Sequence, residues 1–242
     1  MLDNFSFSDL PPGETAQPCA YRGPKGASGG WTIDGVLKIL CAKDKNIVDQ
    51  LARSNVETAD EVWFEDPYFD GKTWTTKRFD AGGSASAATK TIMVLSDQSN
   101  EQAAITFYHE VWHQNQPRMG WPEPAEDDAY YNTERWTIER GLPSQGTGLR
   151  TRDPVTGTVV PDKAEIRKMV QNDYPSPPPP VAGKKQPIPI GHRNGTSGPE
   201  TLVEDPDTGA TSWRPSKAGD TYAGPQKTKG YKKIDRSKWK CP

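Results

Sequence analysis

Two of the chain's three histidines stand four residues apart in "ITFYHEVWHQN" (residues 105–115), with a glutamate directly after the first. Residues four apart on a helix differ by about 40° in azimuth and about 6 Å in height, so His109 and His113 leave one flank and can reach one metal ion. Zinc held by imidazole nitrogens needs a third protein ligand and an open position if it is to activate water. Glu110 sits on the adjacent azimuth, where it can take a proton from that water rather than bind the metal. The third ligand is sought among Glu123, Glu126, Asp127, Asp128 and Glu134, which follow closely. If the next helix starts near Ala125, then Glu126, Ala129, Tyr130, Thr133, Trp136, Thr137 and Arg140 share the face turned toward the histidines. Glu126 leads that face, and the small Ala129 behind it lets two helix backbones approach. Asp128 and Glu134 point elsewhere, toward solvent or basic neighbours such as Arg135. An oxyanion also needs a donor, and Tyr130, Tyr131 and His192 are the candidates.

These residues need elements to hold them. Ala104, Phe107, Tyr108, Val111 and Trp112 recur at helical spacing, which predicts a helix over 100–115 with one buried stripe, capped by Ser99 or Asn100. A loop with Pro117, Gly120, Pro122 and Pro124 leads to the second helix, acidic at its start and ending at Gly141. Upstream, "WTIDGVLKILCAKDKNIVDQLARSN" reads as an amphipathic helix broken near Asp44, and "EVWFEDPYFDGKTWTTKRFD" as a hairpin turning at Asp70-Gly71. "TIMVLSD", a short apolar run ahead of the motif helix, is a strand.

Only 33% of the 242 residues are hydrophobic, and 15 of the 23 prolines lie from Pro143 onward, so the chain divides by character. Three parts are expected: an arm over 1–30, a packed catalytic part over 31–143, and a proline- and turn-rich extension over 144–242. In the extension, "AEIRKMVQN" is the one helix expected, "RDPVTGT" and "EDPDTGA" read as turns between short strands, and "YPSPPPPVAGKKQPIPIG" as a polyproline-like strap. The net charge of −2 gives no general attraction to nucleic acid or to an anionic membrane, and no run of eighteen apolar residues exists to insert into one. The basic tail "KTKGYKKIDRSKWK" could bind a polyanion, but the favoured reading is an edge that packs Tyr231 and Trp239. The start lacks a secretory signal. Cys19, Cys41 and Cys241 are too few for a disulfide framework; unpaired thiols are expected, with a Cys19–Cys41 bridge as the alternative.

"HEVWH" followed by "EDDAYYNTERW" resembles the glutamate-type zincin metallopeptidases, and most nearly the metallopeptidase domains of bacterial polymorphic toxins and type VI-like injected effectors. The resemblance covers about residues 31–143. It implies an α+β, zincin-like fold, with a small mixed sheet packed on the active-site helix and a second ligand-bearing helix. It also implies peptide hydrolysis, with zinc held by His109, His113 and Glu126, with Glu110 as general base, and with a substrate peptide adding to an edge strand beside the motif helix, for which "TIMVLSD" is the candidate. Asp128 and Glu134 remain alternatives for the third ligand. The protein would be made in the bacterial cytoplasm without a signal peptide and injected into another cell. Its partners would be a protein or peptide substrate, an immunity protein and the secretion machinery. Two rival functions are a non-catalytic component of an injection apparatus fastened by zinc, and a polyanion binder acting through its tail.

Overall fold

A computed structural model describes residues 17–19, 30–117, 122–174, 185–222, 224 and 226–242. It is a mixed α+β structure with five α-helices and several small sheets. The central sheet has the order β1 (Gln17–Cys19), β5 (Gly83–Ser86), β6 (Thr91–Leu95), β2 (Asn55–Ala59), β13 (Lys232–Lys233). β2 and β6 are parallel and the other pairs antiparallel.

Every residue of β6 is buried, because the strand is covered on both faces. Ile92 and Val94 meet the helices, and Met93 and Leu95 meet Val62 and Phe64 of β3 (Glu61–Phe69). A strand apolar on both faces belongs inside a sheet. β6 therefore lies between β5 and β2, and the expectation that "TIMVLSD" forms the free edge is corrected. The strand toward the motif helix is β5, drawn from "AGGSASAATK", which carries no strand-favouring pattern.

The broken amphipathic helix forms as α1 (Ile33–Lys43) and α2 (Lys45–Leu51). Asp44 ends the first and caps the second, its side chain accepting from Asn46 N–H. The motif helix α3 (Asn100–Asn115) starts at Ser99, whose side chain accepts from Gln102 N–H. It does not bury a single stripe: every residue from Gln102 to Val111 is buried, since α3 runs between the sheet, α1, α2 and α4 (Pro122–Glu139). α4 begins three residues before the expected Ala125. Pro122 and Pro124 fall in its first turn, where a missing N–H leaves no helix bond unmade.

β3 and β4 (Trp74–Asp80) form the hairpin about Asp70-Gly71, with Gly71 at φ +99° and Asp70 accepting from Lys72 and Thr73 N–H. In the C-terminal part, β7 (Arg150–Arg152) pairs with β8 (Val159–Pro161), and β9 (Ile188–Gly195), β10 (Gly198–Glu204) and β11 (Thr211–Pro215) form a meander. The two DPxTG segments are the hairpin tips. α5 (Lys163–Asp173) packs on α4 through Ile166, Val170, Tyr130 and Leu149. Of the polyproline strap, residues 175–184 lie outside the described residues, as does most of the 1–30 arm.

The division at residue 143 is one of sequence character, and contacts cross it. β12 (Gln226–Lys229) pairs with β3, β13 pairs with β2, and Trp239 is buried with its ring 5.0 Å from that of Phe107. Tyr231 donates to Glu57, and Lys227 and Lys229 pair with Glu65 and Glu61. The tail is thus an edge that packs its aromatics. Cys41 is bonded to Cys241, which corrects both the unpaired thiols and the Cys19–Cys41 alternative. Contacts at such sequence separation are set by the tertiary fold and leave no local signal. No described helix is long and apolar enough to cross a membrane.

Candidate metal centre

α3 and α4 bring His109, His113 and Glu126 together at a buried point, and this group could hold a metal ion. The two Nε2 atoms are 3.0 Å apart. Glu126 straddles them, with Oε2 3.4 Å from His109 Nε2 and Oε1 3.3 Å from His113 Nε2. Ligand atoms about 2.0–2.1 Å from a tetrahedral centre stand roughly 3.3–3.4 Å from one another, so the carboxylate spacing fits such a centre and the imidazole pair is slightly closer.

Two glutamines fix which nitrogen carries each imidazole proton. Gln116 gives its amide N–H groups to Asp128 Oδ2 and Ala125 O, leaving its Oε1 2.8 Å from His113 Nδ1. Gln145 gives its amide N–H to Tyr130 O, leaving Oε1 3.1 Å from His109 Nδ1. An amide oxygen only accepts, so each neutral imidazole donates from Nδ1 and turns the Nε2 lone pair to the shared centre. Burial lowers the pKa of His109, against the raising effect of Glu126, and so favours its neutral form. Two lone pairs and a carboxylate thus converge where, among the described residues, neither Glu126 oxygen has a hydrogen-bond donor. Such an arrangement is costly when buried unless a cation joins it.

Each remaining acid has another partner. Glu123 accepts from Gln171, Asp127 pairs with Arg167, and Asp128 accepts from Trp112, Gln116 and Asn132. Glu134 is fully buried and accepts from Ser144 Oγ, Gln145 N–H and Arg150 Nε. Glu134 therefore neither faces solvent nor pairs with Arg135, which lies instead near Glu139. It anchors the turn that presents Gln145 to His109. Sequence reasoning missed both glutamines. Gln116, three residues past His113, was findable as a helix-end neighbour; Gln145 arrives from beyond α4 and had no local signal.

Glu110 is fully buried beside the ligands, and among the described residues neither carboxylate oxygen has a hydrogen-bond partner. Burial, and then the charge of Glu126, push its pKa well above the ordinary carboxylate value. Its nearest strand is β5: a Cβ built on Gly83 would stand 2.7 Å from Glu110 Oε1, so a glycine is what lets strand and carboxylate meet.

Of the three expected oxyanion donors, Tyr130 is the one that packs on a ligand, with its ring 4.8 Å from that of His109. Tyr131 lies under Lys163, and His192 stacks on Trp74 and hydrogen-bonds Tyr222 in the meander. Set against known protein families, curated proteins and solved structures, the chain matches none.

Proposed function

We propose that this protein is a zinc-dependent peptide hydrolase of the glutamate-type zincin class, with His109, His113 and Glu126 as the metal ligands and Glu110 as general base. The observation that carries this reading is the carboxylate of Glu110, buried beside three convergent ligands with no donor among the described residues. The stability of the fold gains nothing from such a group, whereas a proton-accepting step requires one. The two-nitrogen, one-oxygen donor set suits zinc, which when bound lowers the pKa of coordinated water and polarises a carbonyl.

The residues divide the remaining work. Gln116 and Gln145 hold the imidazoles with Nε2 inward, as hydrogen-bond partners of ligating histidines do. Glu110, made more basic by burial, takes the proton from the attacking water and passes it to the leaving amine. Tyr130, packed on His109, is the donor retained for the oxyanion. A zincin-like fold and delivery into another cell rest on the resemblance of "HEVWH" and "EDDAY", and the substrate would be a protein or peptide.

One observation favours a second reading. The ligands are closed to solvent, as in a site that merely fastens two helices. Two measurements separate the readings. Purified protein should carry about one equivalent of zinc, and less than about half would sink both. Glu110→Gln should keep the metal and lower cleavage of an unfolded protein substrate by about 10²–10⁴-fold. Metal retained in a protein that cleaves nothing, either whole or with its N-terminal arm removed, leaves only the fastening role.

A further inference from the structure

The edge of β5 beyond β6 is occupied by the chain itself. β1 pairs with it antiparallel, with Gln17 opposite Ala85, Pro18 opposite Ser84 and Cys19 opposite Gly83. Gly83 is the residue whose backbone touches Glu110. Neighbouring strands run about 4.8 Å apart, so the backbone of β1 lies one strand spacing from the strand that contacts the buried carboxylate. β1 also lies against both α3 and α4, the two helices that supply every ligand. His109, Glu110 and Glu126 are at the same time 0% exposed, so no peptide reaches them as the chain stands.

We propose that residues 17–19 occupy β5 as an intramolecular stand-in for a peptide strand, and that the protein is self-blocked until this arm leaves. For what is blocked, the proposal rests on the peptidase reading; for the exchange of strands, it stands on the pairing alone. An arm held by a three-residue ladder is among the easier parts of a sheet to displace. Once it leaves, β5 offers a row of unpaired N–H and C=O groups, which any extended peptide satisfies through its main chain. The occupant that replaces the arm is therefore an extended, unfolded segment rather than a folded surface.

A site-specific protease sequence placed between residues 24 and 29 lets the arm be cut from the folded full chain and washed away. Hydrogen exchange at residues 83–86 should then accelerate while residues 103–111 of α3 stay protected, and a labelled peptide of residues 12–24 should bind back. Hydrolysis of an unfolded protein should rise by about tenfold or more, as expected when a blocked state is the major population. The returned peptide should raise KM and leave kcat unchanged. Gln17→Pro in the uncut chain, which removes an N–H from β1, should give a smaller change in the same direction. Unchanged exchange at 83–86 after arm removal, or failure of the peptide to bind, overturns the proposal. So does equal turnover before and after the cut. Should neither form hydrolyse anything, the peptidase reading falls, and exchange and rebinding alone decide whether the arm is a displaceable strand.

Discussion

Glu126 and Glu134 sit eight residues apart on α4, both fully buried, in opposite surroundings. Glu134 receives Arg150, Ser144 and the Gln145 backbone, which compensate its charge and its lone pairs. Glu126 faces two imidazole nitrogens that the glutamines have turned into acceptors, and Glu110 beside it has no donor among the described residues. One carboxylate is finished by the protein. The other is finished only by something positively charged. The difference separates an anchor from a binding site on one helix, with burial and residue type held constant.

The largest effects should come from exchanging these roles. Glu134→Ala leaves Arg150 without its partner and should cost about 3–5 kcal/mol of stability, the range for breaking a buried pair. Glu126→Gln removes a buried charge that has no donor, so in chelator-treated protein it should change stability by under about 1 kcal/mol or raise it, while abolishing metal binding. Urea unfolding of the two variants, each with and without metal, measures this. A harmless Glu134→Ala, or a Glu126→Gln as damaging as Glu134→Ala in the metal-free state, would break the comparison.

A smaller effect tests whether the glutamines set the imidazole lone pairs. Gln145→Leu and Gln116→Leu remove an orienting acceptor and should each weaken metal affinity about 10–100-fold in competition titrations. Replacement by Glu keeps an acceptor at Nδ1 and should recover part of that loss. Affinity unchanged by either Leu variant would show that packing alone orients the rings.

How much of this could be read from the sequence follows from what is local. The spacing of His109 and His113 and the azimuth of Glu126 are properties of one or two helices, and the expected ligand set is the one that converges. The break at Asp44 and the Asp70-Gly71 turn are local too, each signalled by a short polar side chain that caps its own backbone. Most of the misses are relations between distant segments. β5 is built of Gly, Ser and Ala, and is a strand because β6 and β1 pair with it rather than through propensity. β6 was placed at an edge although its unbroken apolar run argued for both faces being covered. Cys241, Trp239 and Gln145 act on residues far away in the chain, and their own neighbourhoods give no sign of it.

The smallest effect concerns pH and isolates Glu110. Its folded pKa lies above the ordinary 4.5, first through burial and then through Glu126. A carboxyl shifted upward contributes its full stabilising share below the unfolded pKa and loses it as pH rises through the folded value. Metal-free wild-type protein should therefore lose stability as pH rises from about 4.5 towards the folded pKa of Glu110. His109, shifted downward by burial, acts in the opposite sense, since it favours folding once pH exceeds its unfolded value. That contribution is common to wild type and Glu110→Gln and cancels in their difference. Across this window the variant should lose less stability than wild type, as read from paired urea titrations in chelator. Parallel curves would mean that Glu110 finds a donor in solution, and the contrast with Glu134 would then rest on Glu126 alone.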